Sequence, residues 1–136
     1  MLITWFPTDG LAEVIADDSL GRGAGSKACL DCWPDHVQLI QAVSRVRAAS
    51  TQFYGRGNLS VTYHVQTRVE FASIADCMTY RDDVMLRVQG NGYLEISYDT
   101  GEFRTLAGAV CTRITFPERY GVSTVVDWEF TGESLT

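Results

Sequence analysis

The residue types that most often carry catalysis are few in this sequence. It contains two histidines, His36 and His64, and neither stands in a metal-binding spacing such as HExxH. His64 falls on the polar side of a predicted strand, where we expect it to be solvated. No GxSxG motif places a serine nucleophile at a strand-to-helix turn. We therefore predict no catalytic residue and no enzymatic activity.

Two features resemble functional motifs but lack the required geometry or spacing: adjacent carboxylates and a glycine-rich stretch. Asp82 and Asp83 are neighbours on a predicted helix, so their side chains point in different directions and do not converge as glycosidase carboxylates do. Residues 21–27, GRGAGSK, look like a phosphate-binding loop. However, GxxxxGK[ST] requires a lysine directly after the second glycine, and here Ser26 intervenes. We interpret residues 17–27 as a flexible loop and predict no bound cofactor.

Four cysteines limit the possible metal and redox chemistry: Cys29, Cys32, Cys77 and Cys111. Only Cys29 and Cys32 form a CxxC pair, whereas a zinc ribbon requires two such pairs. A redox CxxC is expected beside a βαβ unit, which this sequence lacks. We predict reduced thiols and no metal site, with Cys77 and Cys111 as small core residues. The sequence leaves open whether Cys29 and Cys32 bind a metal.

The length and charge of the chain narrow the class of protein. Its 136 residues suit one domain, and its net charge is −6. An acidic chain is a poor candidate for sequence-specific nucleic-acid binding or for attachment to an anionic membrane. The N-terminus does not resemble a secretion signal, and no apolar run approaches the roughly 20 residues that span a bilayer. We expect a single domain, residues 1–136, that folds in a cytoplasm.

One long strand followed by one helix is the clearest structural pattern. Residues 59–71 alternate between apolar and polar side chains, which predicts a strand with one buried and one solvated face. Ser73 is a good N-cap for a helix over residues 73–88. Its predicted apolar stripe consists of Ile74, Cys77, Met78, Val84, Met85 and Val88.

The remaining patterns predict further strands and tight turns. Runs at the N-terminus and after the helix predict strands at residues 2–6, 11–16, 94–98, 103–107, 110–116 and 122–130. Strands joined by short turns pair antiparallel. The predicted fold is mainly β, an antiparallel β-sandwich or small open barrel with one flanking α-helix at about residues 73–88. Residues 1–35 are expected to form an N-terminal arm and loop, and residues 36–136 the sandwich core with the helix.

Three stretches are less clear from pattern alone. Residues 36–49 allow a helix with apolar residues at every third position, or a strand with an irregularity near residues 39–40. We predict that residues 29–34 form a compact loop in which Trp33 is a local packing anchor. Residues 50–58 contain two glycines and are predicted to form a turn-bearing connection.

A resemblance to a known family covers residues 41–133. The order is a strand with arginines (AVSRVR), an aromatic turn (FYGRGN), the long strand (LSVTYHVQTRVEF), a helix that opens with SIADC, a GYLEI strand, a hairpin, a strand with LAGAVCTRITF and a closing GVSTVVDWEFTGE strand. This order resembles small tail structural proteins of bacteriophages and prophages, β-sandwich proteins related in shape to tail-tube and distal-tail subunits. The resemblance favours the strand interpretation of residues 36–49.

The resemblance implies a structural subunit of a phage tail, located in the virion and assembled in the host cytoplasm. Its expected partners are further copies of itself in a ring, commonly a hexamer, and neighbouring tail proteins. Long edge strands suit such assembly, because they offer unpaired backbone groups to a neighbour. The candidate subunit-interface residues are Phe53, Tyr54 and Arg56, with Gly21 and Gly25 in the preceding loop.

Two other classes of function are consistent with the predicted fold. A barrel with a helix at one end could bind a small molecule without catalysis, which would require a roomy apolar interior. An enzyme could gather carboxylates from separate strands, which would require a cleft holding acids with raised pKa values.

Overall fold

Eight strands and one α-helix form the part of the chain that the computed structural model describes. The described backbone covers residues 1–44 and 51–136, and the described side chains are those of residues 1–35 and 60–136. The strands are β1 (Leu2–Pro7), β2 (Glu13–Asp17), β3 (Lys27–Ser44), β4 (Thr51–Glu70), β5 (Asn91–Ser97), β6 (Phe103–Tyr120), β7 (Ser123–Gly132) and β8 (Ser134–Leu135). The helix α1 spans Ile74–Arg87, and a short 3-10 helix spans Asp18–Leu20.

All strand pairs are antiparallel, in the order β5-β1-β2-β3-β4-β7-β6-β8. Strand β5 also pairs with β6, so the sheet curves back upon itself. Strands β2 and β3 share the shortest pairing in the described sheet, since only Asp17 and Lys27 are opposite one another. The predicted mainly-β fold, a sandwich or open barrel with one helix, is confirmed.

The long alternating strand is confirmed as the C-terminal half of β4. Its buried positions are Val61, Tyr63, Val65, Thr67 and Val69, and the side chains between them are at least partly solvated. This face packs against the inner faces of β1, β5, β6 and β7. The alternation therefore identified the face of the sheet that builds the core.

Aromatic side chains fill the interior that the curved sheet encloses. The rings of Trp5 and Phe130 lie 5.4 Å apart, and those of Trp128 and Phe130 lie 6.0 Å apart. All three residues are at most 1% exposed. The small-molecule-binding alternative requires a roomy apolar interior, and these three rings occupy the interior here.

The helix begins as predicted but packs on a different flank. Ser73 accepts a hydrogen bond from the backbone N–H of Asp76 at 3.2 Å, which confirms the N-cap. The buried helical residues are Cys77, Tyr80 and Val84. The predicted stripe is wrong for three of its members, because Ile74, Met78 and Met85 are 57%, 51% and 46% exposed.

The physical reason for this difference is the position of Tyr80. Its ring packs against that of Phe71 at 5.1 Å, just before the helix. Because successive helical residues are about 100° apart, burying Tyr80 turns the flank of Ile74, Met78 and Met85 away from the sheet. Cys77 is buried as predicted, while Cys111 is half-buried.

Strands β1, β2 and the start of β3 lie within residues 1–35, and residues 18–26 connect β2 to β3. Strand β1 pairs with β5 from Leu2 opposite Ser97 to Pro7 opposite Gly92. Ile3 and Trp5 are fully buried in the core. The short strands predicted at residues 2–6 and 11–16 correspond to β1 and β2. The core is therefore built from both ends of the chain.

The structure decides two of the uncertain stretches in favour of strand. Residues 29–34 lie in β3, so the predicted compact loop is wrong, and the predicted strand is confirmed for residues 36–44. Residues 45–49 lie outside the described residues.

The predicted turn-bearing connection is also wrong over residues 51–58, which lie in β4. Gln38 pairs with Asn58 and Ile40 with Gly55, so the strands are out of step by one residue at this point. The glycines lie in a β-bulge and not in a turn.

No helix in the described residues is long and apolar enough to cross a membrane.

Candidate interaction surface

The two groups of predicted interface residues lie far apart. Phe53 and Tyr54 pair through their backbones with β3 near the start of β4. Arg56 is in the bulged part of the same strand, and the side chains of all three are outside the described set. Gly25 donates its backbone N–H to the carbonyl oxygen of Glu70, at the opposite end of β4, at 2.9 Å. At about 3.3 Å per residue, roughly 50 Å of extended strand separates the two groups.

The glycine-rich loop is anchored to the end of β4. The Gly23 N–H donates to Glu70 Oε2 at 2.8 Å, and the Glu70 N–H donates to the carbonyl oxygen of Ser26 at 3.2 Å. Gly21 closes the short 3-10 helix with φ +70°, a conformation that favours glycine. The loop thus follows one end of the sheet, and the Gly23 N–H already has a carboxylate as its acceptor.

Strands β3, β4, β7 and β6 form a four-stranded sheet with a polar outer face. One row across this face consists of Trp33, His64, Glu129 and Arg113, each directly opposite the next. Residues directly opposite one another in antiparallel strands project from the same face. The next row contains Gln66, whose side-chain amide donates to Asp127 Oδ1 at 2.9 Å. This face carries several carboxylates: Asp31, Asp35, Asp127 and Glu129.

His64 lies on the polar face as predicted, but it has partners that the sequence did not reveal. Its ring stacks on that of Trp33 with centroids 5.0 Å apart and planes 15° apart. Its Nε2 lies 2.8 Å from Asp35 Oδ2 and its Nδ1 lies 3.6 Å from Glu129 Oε1. The imidazole thus links β3 to β7. Trp33 is 43% exposed and packs on this outer face, not in a loop.

Both outer edges of this sheet lack a partner strand in the described residues. Beyond Lys27, β3 pairs only with β4. Beyond Val110, β6 pairs only with β7, because β5 and β8 join it at earlier residues. Unpaired edges of this length present rows of backbone donors and acceptors to another chain. They are the strongest candidate interaction surface in the described structure.

The CxxC pair lies on the buried side of the β3 edge. An extra residue between Cys29 and Asp31 interrupts the register, so Cys29 and Cys32 both pack against the core instead of pointing to opposite faces. Burial and the neighbouring Cys32 thiol raise the pKa of Cys29 to about 12. Burial also raises the pKa of Cys111, to about 11.

A zinc ligand must be a thiolate, so a metal at Cys29 would have to displace the proton that this raised pKa retains. Among the residues whose side chains are described, no three His, Cys, Asp or Glu side chains are placed to hold a metal ion. The absence of a metal site remains a prediction from the sequence, which labelling of the thiols can test.

Cys29 is expected to react with iodoacetamide at pH 8 at least about 100-fold more slowly than an unperturbed cysteine, whose pKa is near 8.5. A raised pKa leaves the thiol protonated until the pH approaches about 12, so the nucleophilic thiolate is scarce at pH 8. Peptide mapping by mass spectrometry gives the rate at this residue. The same protein in urea is the control, since unfolding restores the ordinary pKa. Equal rates in the folded and unfolded protein would contradict the prediction.

Solved structures of similar fold come from assembled particles. No protein-family model and no curated protein matches the sequence. A chain in the virion of the native gene transfer agent (GTA) particle aligns with 99% of this chain and 93% of its own length, at 9% identity and a TM-score of 0.52. A chain in the tail of the empty GTA particle aligns with 99% of this chain and 92% of its own length, at 10% identity and a TM-score of 0.48.

A chain from the sheath–tube complex of an extracellular contractile injection system in its extended state is less similar. It aligns with 99% of this chain and 85% of its own length, at 12% identity and a TM-score of 0.44. At these identities a likeness establishes the fold alone. The resemblance to tail structural proteins is confirmed in that sense, and this chain has the fold of a protein from the virion of a gene transfer agent particle.

Proposed function

We propose that this chain is a non-enzymatic structural subunit of a phage-type tail, whose copies join edge to edge into rings. The observation that carries the proposal is the four-stranded sheet β3-β4-β7-β6 with two unpaired outer edges in the described residues. Its fold, shared with a virion protein, supports the same role.

The strand directions suit a head-to-tail join. Successive strands of this sheet are antiparallel, so β6 at one edge runs opposite to β3 at the other. When β6 of one copy lies beside β3 of the next, the antiparallel pattern continues across the join. A repeated head-to-tail contact gives a ring if the rotation between copies closes, and an open filament if it does not. We propose the closed form, with six copies, in contact with neighbouring tail proteins in the virion.

Self-assembly is tested by the mass of the purified protein in solution. Light scattering over a concentration series is expected to show a species of about six times the chain mass of 15.1 kDa. Negative-stain electron microscopy of the same fractions should show rings or short stacks. A strict monomer at every concentration would contradict self-assembly.

The predicted contribution of Phe53, Tyr54 and Arg56 is tested by shortening the β3–β4 ribbon that carries them. Val37 and Ser60 are directly opposite one another, so an Asn-Gly turn can replace residues 38–59 between them. The core part of β4 begins at Val61, and we expect the variant to fold with a similar circular dichroism spectrum. We expect it to lose stacked or ring-sized species. Unchanged assembly would show that these three residues are not part of an interface.

A further inference from the structure

Around one row of the four-stranded sheet, the two unpaired edges carry opposite charges on their polar face. On β3, Asp31, Trp33 and Asp35 alternate along this face without a register shift, and both carboxylates are exposed. On β6, Arg113 occupies the same face, because it ends the row that starts at Trp33. Arg113 is exposed as well. Around this row, the β3 edge therefore carries two carboxylates and the β6 edge carries one guanidinium. Glu118 stands further along β6, opposite Val125.

The charged side chains at the two edges are at most partly paired within the described part of the chain, where Arg113 stands opposite Glu129 and Asp35 contacts His64. Arg113 makes no ion pair with a carboxylate among the side chains described. Asp31 accepts the backbone N–H of Cys32 at 2.9 Å and makes no ion pair there either. Asp35 contacts His64 from one side and remains 61% exposed.

We propose that Arg113 of one copy lies against Asp31 and Asp35 of the next copy, so that charge selects the head-to-tail join. This inference rests on the proposed function and names the contact that orders the ring. If the row of Arg113 meets the row of Trp33 across the join, Asp31 and Asp35 lie about 7 Å along the strand on either side. The long guanidinium side chain can reach either carboxylate.

The same charges disfavour the wrong joins. Pairing β6 with β6 would bring two copies of Arg113 together, and pairing β3 with β3 would bring four carboxylates together. Like charges opposite each other across strands are destabilising, so each wrong join is penalised while the head-to-tail join is favoured. The partner that fits this surface is thus a second copy of the same chain in the same orientation.

A charge exchange between two variants tests the proposal. Around this row, R113D makes both edges acidic, and the double variant D31R/D35R makes both edges basic. Each variant alone is expected to need about tenfold or more protein to reach the ring-sized species, because like charges then meet at every join. A 1:1 mixture of the two is expected to restore assembly, since each copy then meets a neighbour of opposite charge on both sides. The mixed rings alternate, which six copies permit.

R104D is the matched control, because Arg104 is an exposed arginine of β6 in the part paired with β5, away from the unpaired edge. It is expected to assemble like the wild type. Circular dichroism verifies that each variant is folded. Should a charge reversal prevent folding, R113Q and D31N/D35N replace it, and each is then expected to weaken assembly and to remove most of its dependence on salt.

The outcomes separate the two proposals. If the wild type forms no ring at any concentration, the proposed function fails. If the wild type assembles and R113D and D31R/D35R each assemble equally well, or if their mixture gains nothing over either variant alone, the charge pairing is overturned while the ring proposal stands.

Discussion

Replacing Trp128 by alanine is expected to lower the free energy of unfolding by about 3–5 kcal/mol, the usual cost of emptying a large aromatic site in a core. Trp128 is 1% exposed and stands in β7, between β4 and β6. Its indole N–H donates to Thr67 Oγ1 at 3.0 Å, and Thr67 is fully buried. The substitution therefore also leaves a buried hydroxyl without this partner, which costs about 1–3 kcal/mol more where no water replaces it.

A loss of this size is a large fraction of the stability of an ordinary domain, about 5–15 kcal/mol. Urea denaturation followed by far-UV circular dichroism measures it without relying on the fluorescence of the missing tryptophan. Trp33→Ala is the matched control, since Trp33 lies in the same sheet but on its outer face and is 43% exposed. We expect that change to cost about 1 kcal/mol or less. Similar costs for the two variants would mean that the assignment of inner and outer faces is wrong.

The strongest local patterns of the sequence predicted the parts of the fold that local physics controls. Alternation in β4 depends on one strand having one buried face, and the Ser73 cap depends on one side chain and one nearby N–H. Neither requires knowledge of a distant residue. Both predictions are confirmed.

The errors occurred where a distant contact decides between two locally acceptable structures. The helix offered an apolar stripe wide enough to pack in more than one orientation, and Tyr80 against Phe71 selected the one that exposes Met78 and Met85. Gly55 and Gly57 suit a turn or a bulge equally well. Pairing with β3 made them part of a bulged strand. Such choices cannot be read from one segment.

The candidate surface was the part least accessible to sequence reasoning. Asp35, His64 and Glu129 are far apart in the chain, and only the register of β3, β4 and β7 brings them together. The free edges of the sheet likewise follow from the order of its strands. The family resemblance pointed to edge pairing in general, but Arg113 gave no signal of its own. The order and register of the strands were needed to find it.

Gly92→Ala is expected to cost about 3 kcal/mol or more, although Gly92 has no unusual backbone angle. A Cβ at this position would overlap the carbonyl oxygen of Phe6 and lie 2.9 Å from the Cα of Pro7. Both neighbours are backbone atoms of β1, which cannot move aside as a side chain can. To accept the methyl group, β1 and β5 must separate where Pro7 pairs with Gly92, which also disturbs the stacking of Phe6 on Tyr93 at 4.9 Å.

Gly121→Ala is the informative comparison, because its expected cost comes from the backbone conformation and not from a steric overlap. Gly121 has φ +63°, and a Cβ there would meet no heavy atom within 4 Å. The left-handed conformation alone costs an alanine about 1–2 kcal/mol. Thermal and urea unfolding of the two variants should therefore place Gly92→Ala well below Gly121→Ala in stability. If Gly121→Ala is the less stable of the two, β1 and β5 do not approach as closely as described, and the N-terminal strand contributes less to the sheet than its buried Trp5 implies.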